Sequence, residues 1–217
     1  MQTAIRLLMC ALLGAGCGWG ALYWAHALLQ SRKREEWVSG RIRSLLITAA
    51  VVCGGVMGFC IHEWLPLAAA LAVFAVGITV AVCDLLCRII PNPTVLAIFA
   101  VKLLLIALAL LKVPGAPALG FFSALGGMAF CFLVFSAPGS FGKRVGAGDI
   151  KLAAAMGFFL EFGSALVAMV IMGALILGYS MVQRKMPLLT FLKTDIPMGP
   201  FIAAGMLLAY MLPYLPS

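Results

Sequence analysis

Charge is what this chain has least of. Only 10% of its 217 residues are Asp, Glu, Lys or Arg, against about 25% in an ordinary water-soluble domain, and 65% are hydrophobic. With a mean hydropathy of +1.16, too few polar side chains remain to cover a globule in water, which excludes a soluble fold. Acids are scarcest, at seven against fifteen Lys and Arg. Histidine is nearly missing, with only His26 and His62, so a histidine-based triad or a zinc centre lacks its parts. The cysteines, Cys10, Cys17, Cys53, Cys60, Cys83, Cys87 and Cys131, form no CxxC and sit in or beside apolar runs. They are expected to be small membrane-embedded hydrophobes, neither a metal site nor a disulfide framework.

What is present is a series of apolar runs, at residues 4–29, 45–61, 67–83, 95–111, 119–135, 150–160, 165–182 and 196–212. A bilayer crossing takes about 20 apolar residues. The expected fold is therefore an all-α polytopic membrane protein of about eight transmembrane helices, with almost nothing left for a soluble domain. Residues 150–160 make only about half a usual span, so the alternative is six full spans plus a re-entrant pair formed with 165–182.

Orientation follows from the bases, because Lys and Arg collect in loops that stay in the cytoplasm. Alternating the spans puts Arg32, Lys33, Arg34, Arg41, Arg43, Arg88, Lys143, Arg144, Lys151, Arg184, Lys185 and Lys193 inside, with Arg6 and Lys112 outside. Both termini are then outside, and the first span is retained where a signal peptide would be removed. The net charge of +8 is explained by topology and implies no nucleic-acid partner. Lys102 stands as an awkward charge inside the span 95–111.

The acids divide into two groups. Glu35, Glu36 and Asp195 fall in basic loops, and Glu63 and Glu161 at outer turns, where solvated surface is expected. Asp84 and Asp149 instead lie at cytoplasmic ends of apolar helices, where an acid is costly enough to imply function. At equal depth on separate helices the two carboxylates can face each other. Repulsion then makes them share a proton, and a water between them can lose a proton to one while the other protonates a carbonyl. That is peptide hydrolysis without metal, cofactor or nucleophile; Ser140 has no nearby base except Lys143.

The neighbours of both acids suit this. Gly146 and Gly148 let the main chain approach an extended peptide, and Pro91-Asn92-Pro93 forces a break after Asp84. Arg88 shares the helical face of Asp84 if the helix continues that far, and Lys151 stands close to Asp149 in sequence. Paired carboxylates near broken helices also suit a small proton-coupled transporter, and an inactive assembly factor is a third reading.

Gly146-Ala147-Gly148-Asp149-Ile150-Lys151-Leu152 resembles the GxGDxKL signature of type IV prepilin peptidases, which are GxGD aspartic proteases. Asp84 followed by Ile90-Pro91-Asn92 is similar to the family's other acidic motif, and Ile196-Pro197-Met198-Gly199-Pro200-Phe201 to its C-terminal Pro-x-Gly-Pro-Phe segment. Together the motifs cover residues 71–212. The resemblance implies that Asp84 and Asp149 are catalytic, with Gly146, Gly148, Lys151, Arg88, Pro91, Asn92, Pro197, Gly199 and Pro200 binding substrate or supporting the site. Substrates would be prepilin or pseudopilin precursors in the inner membrane, whose short basic leader is cut next to a glycine on the cytoplasmic side. Residues 1–66 would be two N-terminal helices with a basic loop, and residues 67–217 a six-helix peptidase core. Larger members carry an insert with paired CxxC motifs after the first span, associated with methylating the new N-terminus. This chain has only residues 31–44 there and no CxxC, so neither methylation nor zinc is implied.

Overall fold

In hydrocarbon no water meets an unpaired N–H or C=O, so an apolar chain satisfies its backbone within helices. A computed structural model describes residues 2–33, 38–112, 117–140, 146–182 and 197–215. Among them the elements are α1 (Gln2–Gln30), α2 (Gly40–Cys60), α3 (Trp64–Cys87), α4 (Asn92–Lys112), α5 (Pro117–Ser140), α6 (Ala147–Val182) and α7 (Gly199–Met211), with a closing 3-10 turn at Leu212–Tyr214 and no strand. All but α7 are long and apolar enough to cross a membrane, so the protein is a multi-pass, all-α membrane protein. Arg34, Glu35, Glu36, Lys143, Arg144, Arg184, Lys185, Lys193 and Asp195 lie outside the described residues.

The short apolar run at 150–160 is explained by a reversal inside α6. Glu161 has φ 68 and ψ 172, so the helix cannot continue straight through it. Before this residue α6 runs parallel to α7: Asp149 lies within electrostatic reach of Asp84, Asp84 touches Gly199, and ten or so residues on, the rings of Phe159 and Tyr210 stand 5.1 Å apart. After Glu161 the direction inverts. Gly205 packs on Ala168 and Met172, and Tyr179 meets Phe201, near the start of α7, at 5.5 Å. The two arms of α6 are thus antiparallel. Every residue from Leu152 to Leu160 on the first arm is buried, making that arm the axis around which α4, α5 and α7 pack.

Small residues set how closely helices approach in a bilayer. A Cβ on Gly157 of α6 would lie 2.2 Å from the carbonyl oxygen of Gly127 on α5, and one on Gly54 of α2 would lie 2.5 Å from that of Cys10 on α1. The α1–α2 pair seals against α3 through Cys10, Met57, Leu67 and Leu71 at one end and through Leu22, Leu29, Val82 and Cys83 at the other.

The bundle therefore has two chemically distinct ends. At one, Arg6 on α1 donates to the carbonyls of Gly58, Ile61 and His62 and stacks on Trp64; Thr3, Arg6 and Tyr214 line a common cavity there, so both ends of the described chain meet at this face. At the other are the close of α3, the starts of α4, α6 and α7, and Arg32 and Arg43 from around the α1–α2 connection.

Glu161 stands at the reversal within α6 with its side chain 39% exposed, and what the sequence did not show is its partner: its Oε1 pairs with Lys102 Nζ at 2.8 Å, and Lys102 is itself 8% exposed. Arg88 does not share a helical face with Asp84, because α3 stops at Cys87 and Arg88 adopts the left-handed conformation, φ 53 and ψ 40.

Candidate active site

Asp84 occupies the last turn of α3, one turn further into the helix than the apolar run alone predicts, and is 5% exposed. The helix ends because Arg88 turns left-handed; its N–H still donates to Asp84 O, and its charge reaches the Asp84 carboxylate. The chain then makes a tight connection through Ile89 and Ile90 to buried Pro91. α4 restarts at once, since Thr94 returns both its N–H and its hydroxyl to Pro91 O, at 3.1 and 2.7 Å. Thr94 is fully buried, and nothing in its sequence context marked it as the residue that closes this turn.

The start of α7 supplies the partner of Asp84. A helix leaves its first N–H groups without internal acceptors. Here Pro200 has no N–H, and Phe201 and Ile202 donate to Met198 O. The remaining Gly199 N–H points into the bundle and donates to Asp84 Oδ2 at 2.8 Å, in a buried hydrogen bond. Only glycine fits this position, because a Cβ would lie 2.9 Å from Oδ2, 3.0 Å from Val80 Cγ1 and 3.1 Å from Asp84 Cβ. The Pro-x-Gly-Pro pattern is therefore a seat for a carboxylate, with Pro197 half-buried on the approach to it.

The start of α6 brings the second acid. Asp149 sits in the first turn, half-buried, with its carboxylate folded back over Gly146, where a Cβ would meet Oδ2 at 2.7 Å. Gly148 packs its bare Cα side against Ile90, a Cβ there being 3.0 Å from Ile90 Cβ. That contact ties the first turn of α6 to the connection following Asp84. Lys151, exposed, reaches Asn92 Oδ1 at 3.4 Å and so joins α6 to α4, not to Asp149.

Asp84 and Asp149 thus stand at the same end of the bundle, tied through the Gly148–Ile90 contact, and the charge of Asp84 reaches Asp149. Their surroundings differ. Asp84 is enclosed and held by an N–H, while Asp149 is the more open, on the same side as exposed Asn92 and Lys151. The N-termini of α6 and α7 both converge here, and their partial positive charge favours anions. Two unequal carboxylates sharing one site are suited to general acid–base work on a water. Among the described residues no three His, Cys, Asp or Glu side chains come together as metal ligands would.

The model of the type IV leader peptidase family matches residues 71–181, just over half of the chain and inclusive of both acids. The chain belongs to that family. No curated protein and no solved structure matches it. As a type IV leader peptidase it is a protease that acts on precursor proteins, and the six membrane-length helices among the described residues put that activity in a bilayer. The matched region ends before α7, so the leader peptidase's contact between Gly199 and Asp84 is a feature of the structure that the family match does not reach.

Proposed function

We propose that the protein is an aspartic endopeptidase that removes the short basic leader of prepilin-like precursors, with Asp84 and Asp149 as its catalytic pair. The observation that carries this reading is the meeting of the two acids at one end of the bundle, one seated on the N-terminus of α7 and the other at the N-terminus of α6. One carboxylate takes a proton from a water as its oxygen attacks the scissile carbonyl. The other donates a proton to the carbonyl oxygen, and proton return to the amide nitrogen releases the leader as the C–N bond breaks.

The site faces the cytoplasm in this reading. Arg32, Lys33, Arg41, Arg43, Arg88 and Lys151 belong to its end of the bundle, whereas Arg6 lies at the far end, the asymmetry expected of an inner face. Counting α7 and each arm of α6 as a pass gives eight with both termini outside, the first arm of α6 and α7 being shorter than a usual span. Residues 67–217 form the peptidase core and residues 1–66 a helix pair applied to α3. A precursor whose basic leader stays inside while its following helix lies in the bilayer presents its cleavage point at this depth. Both acids stand at helix ends, and none of the geometry favours a transporter, whose coupling acids belong near the midplane.

The test is cleavage of a peptide comprising a basic leader, a glycine and a hydrophobic helix, by protein reconstituted in proteoliposomes. Asp84→Asn and Asp149→Asn should each abolish cleavage while inserting normally. Full activity in either would refute the assignment.

A further inference from the structure

Asp84 is held by α7, but what fixes Asp149 against it must act on the first arm of α6. That arm is matched to α4 at a constant offset. Lys151 Nζ meets Asn92 Oδ1, the rings of Phe158 and Phe99 stand 5.1 Å apart, and Glu161 Oε1 meets Lys102 Nζ at 2.8 Å. In all three pairs the partners are 59 residues apart, which occurs only when two helices run parallel and in register. Positions 92, 99 and 102 fall within an arc of about 80° on α4, since at about 100° per residue a spacing of seven comes back to within about 20° and one of ten to within about 80°. α4 is itself joined to Asp84 by the tight connection 88–91. It therefore acts as a rail that carries the position of one acid to the other.

The top of the rail combines a strained backbone with a buried charge. Glu161 occupies a backbone region that only glycine enters freely, which costs about 1–3 kcal/mol and persists only where the surroundings demand it. A glycine would relieve that strain but would forfeit the carboxylate. Lys102, near the middle of α4 and 8% exposed, is a charge that the bilayer tolerates only with a partner. The pair also borders a 230 Å³ cavity with Ser164, Tyr210 and Tyr214, so its position is not fixed by tight packing on every side.

We infer that Lys102 and Glu161 are a positioning ion pair, which sets the register of the first arm of α6 on α4 and so places Asp149 against Asp84 from about 18 Å away. The inference rests on the catalytic assignment above.

The test measures kcat and KM separately in proteoliposomes for Lys102→Met, Glu161→Gln and the swapped pair Lys102→Glu with Glu161→Lys. Misplacing a reacting group by about 1 Å costs about a hundredfold. Each single variant should therefore lose about tenfold to a hundredfold in kcat with KM changed by less than about twofold, and the swapped pair should recover most of the loss. Wild-type kcat in both single variants, or a swapped pair no faster than they are, overturns the inference. Should the single variants fail to accumulate, Lys102→Met combined with Glu161→Gly removes both charges and the backbone strain together. That protein should fold and be equally slow, and wild-type kcat in it overturns the inference too. Asp84→Asn and Asp149→Asn run alongside: activity in them refutes the catalytic assignment, whereas their inactivity beside fully active pair variants refutes only the positioning role.

Discussion

Replacing Gly199 by alanine isolates the seat of Asp84 from the carboxylate itself. The added methyl would stand 2.9 Å from Oδ2, 3.0 Å from Val80 Cγ1 and 3.1 Å from Asp84 Cβ, all inside ordinary van der Waals contact. Val80 is fully buried, and Asp84 Cβ is fixed by the backbone of α3, so the group with most freedom to move is the carboxylate. Rotating it away breaks the 2.8 Å hydrogen bond from Gly199 N. A hydrogen bond to a charged group is worth about 1.5–3 kcal/mol, and at 1.36 kcal/mol per decade its loss slows cleavage about tenfold to a hundredfold. The assay is kcat for leader removal in proteoliposomes, with the thermal unfolding midpoint measured on the same preparation. A folded Gly199→Ala protein that cleaves at the wild-type rate would show that the α7 N-terminus does not hold Asp84 for catalysis.

Other substitutions separate the site from the scaffold. Gly157→Ala drives a methyl to 2.2 Å from Gly127 O and prises α5 from α6; overpacking of this kind costs about 1–3 kcal/mol, read as a lower unfolding midpoint. Arg6→Ala removes the donor to Gly58, Ile61 and His62 carbonyls, which should lower stability by about 1.5–3 kcal/mol and leave kcat unchanged, because it lies at the far end of the bundle. Gly148→Leu forces a side chain onto Ile90 and should abolish cleavage at wild-type expression, scored by precursor processing in cells. Lys151→Ala severs only an exposed 3.4 Å contact to Asn92, so its kcat should fall by no more than about threefold, the scale of an exposed polar pair.

The two acids stood out in the sequence because each lies at the cytoplasmic end of an apolar run, where an acid is costly, and each sits in a motif that resembles the family's. Glu161 was visible as a break and not as a partner. Its run is too short to span, yet the base it meets lies 59 residues earlier, and hydropathy carries no record of pairings at that distance. Lys102 raised the complementary question without an answer. For Arg88 the sequence left open whether the helix continues that far; it stops one residue short, at Cys87, yet the charge of Arg88 still reaches the Asp84 carboxylate from the left-handed cap. Gly199 belonged to a recognisable motif, but its reason, a backbone N–H left without an internal acceptor at the helix start and aimed at a carboxylate, depends on two helices that only the fold brings together.

The Lys102–Glu161 pair also constrains the order of synthesis. α4 emerges from the ribosome with a lysine near its middle, and inserting such a residue costs about 2.5–3.5 kcal/mol on insertion scales. Its acid is made 59 residues later, about 3 to 12 seconds of translation at 5–20 residues per second. Through that interval Lys102 is without its counter-charge, which arrives only with the hairpin of α6, at its tip.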